Sequence, residues 1–242
     1  MDEEGNKAPS QPTALHKAVD WLCWVAPLGM ALWGQRAWDT IPKPEGWRGV
    51  AVHFGPDGEA DRWSTQPFES VWLMPITILF VVALLTYLPA VSALPENARA
   101  SLSALRWLKL LMVGWLGWLH VSILQSGTSG LSDLGGHLLL WLGVLFGVMG
   151  FIFPGIKRNA FAGIRVPWTL MHEEVWEETH RRAGGAWKGL GIVLILMDLL
   201  WGGKEAFAWG FGLMMVVAVL WTALILPFSV FKRLQREGKL ST

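Results

Sequence analysis

The chain predicts an all-α integral membrane protein: a six-transmembrane-helix bundle with a small extracytoplasmic cap and a cytoplasmic amphipathic helix. Three observations lead there. Of its 242 residues 52% are hydrophobic and only 16% are charged, with a mean hydropathy of +0.38, which is too apolar for an ordinary soluble domain. Six segments approach the roughly 20 apolar residues a helix needs to cross hydrocarbon while satisfying its own backbone. Lys and Arg, finally, fall mostly on alternate connections between those segments.

Taken in order, residues 1–16 read as a mobile cytoplasmic tail, polar and rich in turn formers up to residue 13. The first span covers 17–36. Lys17 ahead of an apolar run imitates a secretion signal, but Asp20 interrupts the start of that run and no small-x-small cleavage site follows, so it reads as a retained anchor. An outer loop, 37–69, leads to a second span at 70–90. Further spans follow at 104–124, 134–153, 187–203 and 207–228, the fifth being the shortest, and Gly202-Gly203-Lys204-Glu205 closes the last two into a tight hairpin. The organisation is therefore 1–16, then 17–90, then a four-helix region 91–228 holding a polar segment at 154–186, then a basic cytoplasmic tail, 229–242.

Direction follows from charge, because Lys and Arg near helix ends resist translocation while acidic groups count little. Lys7, Lys17, Arg99, Arg106, Lys109, Lys157, Arg158, Arg165, Arg181, Arg182, Lys188, Lys232, Arg233, Arg236 and Lys239 fall on one side; Arg36, Lys43, Arg48, Arg62 and Lys204 fall on the other. Both termini are expected in the cytoplasm of a bacterial cell, and the chain in its plasma membrane. A net charge of +1 argues against direct nucleic-acid binding, which needs a basic surface to displace counterions.

The single cysteine, Cys23, excludes an intramolecular disulfide and reads as a packed thiol. Seventeen tryptophans beside one tyrosine mean that Trp serves both interface and core. Gly143 and Gly147, like Gly185 and Gly189, have the small-xxx-small spacing that permits close helix approach. No internal repeat of the kind many transporters carry is evident.

The outer loop carries Asp39, Glu45, Asp57, Glu59, Asp61 and Glu69, punctuated by Pro42, Pro44, Gly46, Gly55, Pro56 and Gly58, giving turns between short extended pieces such as 49–54. His53 and Asp61 have two readings. They hydrogen-bond a compact cap together, or they form a receptor surface or cation site, for which one histidine and scattered carboxylates specify no metal.

The most informative feature is a polar, Trp-marked cassette between two apolar stretches: Gly163-Ile164-Arg165-Val166-Pro167-Trp168-Thr169-Leu170, then Glu174-Val175-Trp176 and Thr179-His180-Arg181. Pro167 disfavours helix at Val166, and Thr169 suits the N-cap of a helix over 170–182. Glu173 and Glu174 then sit at its positive end and Arg181 and Arg182 at its negative end, with Glu177–Arg181 and Glu178–Arg182 spaced for pairing. His172, Val175, Trp176, Thr179 and Ala183 share one side, so Trp176 is expected to pack on the bundle. Once that helix-stabilising charge is set aside, Arg165, Trp168, His172, Trp176, Thr179 and His180 remain, either as structural anchors or as a ligand- or partner-sensing set.

This cassette resembles the signature of the SdpI family of bacterial multi-pass membrane proteins, whose best-known member gives immunity to a secreted killing peptide. Ile41-Pro42, Val52-His53-Phe54 and Gly58-Glu59-Ala60-Asp61-Arg62-Trp63 resemble the domain of unknown function that often precedes such a cassette. The resemblance implies a non-enzymatic immunity or signalling protein, with a secreted peptide toxin and a cytoplasmic transcriptional repressor as partners beside the lipid bilayer. It implies that Arg165, Trp168, Trp176 and His180 belong to the family's common core.

Enzyme signals are weak. Glu177 and His180 have an i,i+3 spacing that metal sites use only with ligands from other helices, and His172-Glu173-Glu174-Val175-Trp176 puts Trp where a zinc HExxH motif needs its second His. No phosphate loop, nucleophile elbow or paired-cysteine site is seen, and no cofactor is expected. His120, His137 and Asp198 fall at similar depth near the outer face and could line a polar cavity below His53. That set keeps open a small-solute or proton-coupled transporter, and behind it a membrane metalloenzyme.

The charge asymmetry makes a direct demand. Reporter fusions after Asp61 and Lys204 should read extracytoplasmic and fusions after Lys157 and Leu240 cytoplasmic; a cytoplasmic Asp61 would invert the whole assignment.

Overall fold

A computed structural model of the chain describes residues 12–54, 60–129, 138–201 and 212–240. Helix α1 (Ala14–Thr40) begins at Thr13, whose hydroxyl accepts from the His16 backbone N–H while the Thr13 N–H donates to the His16 ring. This reciprocal bond satisfies two of the donors a helix start leaves orphaned. A two-stranded antiparallel hairpin follows, β1 (Val50–Phe54) with β2 (Ala60–Ser64), pairing Val50 with Ser64 and Ala51 with Trp63.

A π turn (Phe68–Trp72) leads into α2 (Leu73–Tyr87), and a 3-10 turn (Leu88–Val91) leads out of it. The short α3 (Pro95–Ala100) precedes α4 (Leu102–Ser129) and α5 (Leu138–Ile152). Then come α6 (Pro167–Met171), the long α7 (Glu173–Trp201), and a final helix built from α8 (Gly212–Leu220), a π turn (Trp221–Ile225) and α9 (Leu226–Arg236).

The long helices form the expected all-α membrane bundle. Among the described residues five are long and apolar enough to cross a bilayer: Phe68–Val91, Leu102–Gln125, Leu138–Gly155, Glu173–Leu200 and Met214–Arg236. Helix α1 is long enough but carries Lys17, Asp20, Arg36 and Asp39 and falls outside that apolar group. It is nevertheless built into the bundle, packing on α2 and α4 around Val19, Cys23, Ile78, Val82 and Val113. Its Asp20 receives Arg106 Nε at 3.0 Å and Lys109 Nζ at 2.8 Å from α4, and the same ammonium donates to Thr86 Oγ1 at 3.2 Å. Asp20, which interrupts the apolar run in sequence, is thus the point that fastens α1 to its neighbours.

The bundle has two unlike ends. At one, Trp38, Ile41, Val50, Val71 and Leu124 close a small core beneath the hairpin, with Arg48 stacked 3.7 Å from the Trp63 ring. At the other, α3, α6, α9 and the start of α7 surround the segment that leaves α5.

One difference from the sequence expectation concerns α7. The helix expected over 170–182 and the span expected over 187–203 are a single helix from Glu173 to Trp201. No proline falls between Arg182 and Trp187, and Gly184, which could end a helix, packs instead on the Gly150 carbonyl of α5 beside the fully buried Ala183. The hairpin residues Gly202-Gly203-Lys204-Glu205 lie outside the described residues.

Helices α5 and α7 meet backbone to backbone. A Cβ on Gly191 would lie 2.5 Å from the Gly143 carbonyl oxygen and 2.6 Å from the Gly147 nitrogen, and one on Gly150 would lie 2.6 Å from the Gly184 oxygen. On α5 the close approach is made by Gly143 and Gly150; a Cβ on Gly147 would meet nothing within 4 Å, although its backbone faces Gly191. Their counterparts on α7 are Gly184 and Gly191, not Gly185 and Gly189, whose missing Cβ positions meet nothing within 4 Å. The reason is azimuth: Gly185 and Gly189 project away from α5.

Overpacking a close-packed contact costs about 1–3 kcal/mol, and here the obstructing atoms are backbone that cannot swing aside. Gly191→Ala should lower the melting temperature of the purified protein by several degrees, and Gly185→Ala should leave it unchanged. Equal melting curves for the two variants would show that the crossing tolerates a wider separation.

Candidate functional site

The cassette occupies the end of the bundle opposite the hairpin, and its local folding starts with an asparagine. Asn159, 1% exposed, accepts the backbone N–H groups of Phe161 and Ala162 on Oδ1 at 2.8 and 2.7 Å and donates Nδ2 to the Lys157 carbonyl at 2.7 Å. This side chain does the work of a backbone turn. The buried Ser101 hydroxyl accepts the Lys157 N–H at 2.9 Å, tying the turn to the start of α4. Gly163, at φ +112°, then redirects the chain, and a Cβ there would collide with His180 Nε2 and the Trp176 ring.

Trp176 and His180 form the centre. Trp176 is fully buried and donates Nε1–H to the Ile156 carbonyl at 2.7 Å. His180 stacks on it, ring centroids 4.2 Å apart, with Phe153 at its edge. The Ile164 N–H donates to His180 Nε2 at 2.9 Å, so the ring proton lies on Nδ1, which reaches the Trp176 carbonyl at 2.8 Å. Both nitrogens of a neutral imidazole are thereby used. His180 holds the 156–164 segment against α7 and has no lone pair left for a metal or a substrate proton.

Thr169 departs from its expected place. The N-cap of α6 is the extended Val166, with Pro167 at the first helical position where its missing N–H costs nothing. The buried Thr169 hydroxyl instead bridges the turn, donating to the Ile164 carbonyl at 2.7 Å and accepting the Val166 N–H at 3.1 Å. The helix then breaks at His172, whose backbone is extended (φ −124°, ψ 123°), and α7 starts at the next residue. The break lets two rings meet the last helix: Trp168 packs on Phe228 at 5.2 Å, and His172 lies 5.7 Å from Phe231.

The charges form three clamps. Arg158 Nε donates to Glu173 at 2.7 Å while its guanidinium also reaches the Leu170 carbonyl at 2.9 Å, and Asn97 donates to the Arg158 carbonyl at 3.0 Å. Lys157 pairs with Glu177 at 2.6 Å. Glu178 accepts from Arg181 at 2.7 Å, Arg182 at 2.6 Å and Arg233 of α9 at 2.7 Å. Of the two intrahelical pairs expected, Glu178–Arg182 forms; Glu177–Arg181 does not, because Lys157 takes Glu177 and Arg181 turns to Glu178. Arg165 is exposed and has no ion pair among the described residues. Thr179 is fully buried, and its hydroxyl has no hydrogen-bond partner among the described residues.

The remaining candidates are spread over the hairpin, α4 and α7. His53 Nδ1 and Asp61 Oδ1 lie 2.6 Å apart across the hairpin, both more than half exposed. His120, 1% exposed, turns toward Gly34 of α1 among Leu124 and Val71. Asp198, 6% exposed, sits on α7, whose main partner is α5; His137 lies outside the described residues. No group of three or more potential metal ligands occurs among the described residues.

Asn97, Ser101 and Asn159 carry no mark in the sequence reading, and Gly163 and Arg233 enter it only as part of the cassette and of the basic edge. Only the first turn carried a readable signal, an Asn four residues ahead of a Gly between apolar stretches.

This geometry separates two variants. Trp176→Ala should cost about 3–5 kcal/mol, as loss of a fully buried ring does, and sharply reduce the monodisperse protein recovered from membranes. Arg165→Ala should leave recovery and melting temperature unchanged, since no described contact depends on it; an equal loss in both would make Arg165 part of the scaffold.

Residues 155–229 match the model of the SdpI/YfhL protein family, from the end of the turn after α5 into α9. The matched stretch contains the whole cassette and the start of its docking helix, and lies C-terminal to the hairpin, whose own resemblance it does not reach. No curated protein and no solved structure matches the chain. The likeness to the SdpI/YfhL protein family thus rests on residues 155–229, with the cassette in their N-terminal part.

Proposed function

We propose that this membrane protein is a non-enzymatic immunity and signalling protein of the bacterial plasma membrane, with both termini cytoplasmic, which protects the cell against a secreted toxic peptide. One observation carries the reading. The central polar groups of the cassette are already used in holding it together: Asn159, Thr169, Trp176 and His180 are all hydrogen-bonded within the fold, leaving His172 Nδ1 and the Thr179 hydroxyl buried without a partner among the described residues. Such a site presents a shaped surface and has no poised acid, base or nucleophile to offer.

What the scaffold leaves outward is cationic: Arg165, Lys232 and Arg236 are exposed at the same end of the bundle. On the charge rule this end faces the cytoplasm, where a repressor with an acidic surface would dock. The hairpin, with His53 and Asp61 exposed, is the natural place for a toxin to be recognised from outside. A solute transporter is the competing reading, carried by His120 and Asp198, both buried within the bundle.

Expression should protect a sensitive bacterium from a membrane-active killing peptide while leaving its response to detergent unchanged. Replacing residues 49–63 should abolish protection with the helices intact, and substitutions at Arg165, Lys232 and Arg236 should uncouple signalling from protection. If a panel of such peptides kills expressing and control cells alike, and the purified protein in vesicles takes up a solute down its gradient, transport replaces immunity.

A further inference from the structure

Helices α4 and α5 are splayed, and the gap between them is an apolar groove of about 820 Å³. One wall is a single face of α4: Ser103, Trp107, Leu110, Leu111, Gly114 and Trp118. Trp141, Val148 and Phe151 of α5 form the other. From Ser103 to Trp118 the wall runs about 22 Å at 1.5 Å per residue. A long groove with apolar walls and an open side suits flexible hydrocarbon chains, which lie along it side by side.

The groove also has a polar end. Phe151, 72% exposed, stands on its rim, and Lys188 Nζ of α7 lies 4.5 Å from that ring. Lys188 has no carboxylate partner among the described residues. It is level with Gly150, one turn from where α5 gives way to the turn at Phe153–Gly155. Arg99, beside the lining residue Ala100, is likewise exposed and unpaired among the described residues. Cations at this level, with stems along apolar surface and heads toward the interface, suit a phosphate headgroup.

We infer that this groove is a binding site for an anionic glycerophospholipid, its acyl chains lying between α4 and α5 and its phosphate meeting Lys188 and Arg99. The proposal needs only the membrane bundle and stands apart from the immunity reading. Its occupant is distinguished from bulk lipid by charge, because apolar walls alone would accept any acyl chain equally.

The test reconstitutes the full chain in vesicles of equal parts phosphatidylglycerol and phosphatidylcholine with matched chains, extracts it in mild detergent, and counts retained lipids by native mass spectrometry. Phosphatidylglycerol should be retained over phosphatidylcholine by about fivefold, the preference one cation near an anionic surface confers. Lys188→Gln should bring the two toward parity with the total unchanged. Gly114→Phe, which grows into the groove where a Cβ meets nothing within 4 Å, should lower both. Equal retention by the unaltered protein would overturn the proposal, as would variants that leave its lipid count and preference untouched. A stable dimer that dissociates on Gly114→Phe would give the groove to a second copy of the chain instead.

Discussion

The backbone contact between α5 and α7 is the constraint on which the rest of the molecule depends. In a bilayer the lipid is as apolar as leucine, so helices gain little from hiding apolar surface and associate through close packing. Gly143, Gly150, Gly184 and Gly191 let the two backbones touch at that crossing. Because α7 passes unbroken from the crossing into the cassette, the same contact sets the height and rotation of Trp176 and His180. The turn after α5 delivers Ile156 to the Trp176 indole, so both partners of that hydrogen bond descend from the two helices the glycines hold together.

Charge plays a different part at each level. Around Asp20 two cations share one carboxylate within the bundle, and Lys109 gains a hydroxyl as well. Taking such groups out of water is costly, so the arrangement is better understood as fixing which helix lies beside which than as a large net stabiliser. Glu178 does the corresponding work at the cassette, joining α7 to α9 through Arg233 across a separation of 55 residues. The aromatic contacts Trp168–Phe228 and His172–Phe231 lie along the same seam. The last helix is therefore part of the site, consistent with a family match that continues to residue 229.

The spans and the cap were legible because hydropathy and turn composition are local properties, written in consecutive residues. The continuity of α7 was not, since a charged stretch followed by Gly184-Gly185 imitates a separate interfacial helix, and only the facing backbone of α5 explains why those glycines do not end it. His180 could be marked as belonging to the cassette, but its role depends on the Ile164 N–H, a group with no sequence signature. Lys157 captured Glu177 for a similar reason: competition from outside a helix is invisible to spacing within it. His120 and Asp198 illustrate the limit of depth as evidence, because equal height along two helices says nothing of the direction each side chain takes around the bundle.

Helix α7 has one more property that its length makes mechanical. It runs 29 residues without a proline or a π turn, whereas α2 and the last helix each contain one. Its glycine crossing lies near the middle, with about 16 Å of helix from Gly184 down to Glu173 and about 14 Å from Gly191 up to Leu200. A stiff rod held at its midpoint is a lever of nearly equal arms. A sideways push on its hairpin-end tip returns at the other tip as a swing of similar size in the opposite sense, carrying Glu178 and its three arginines with it.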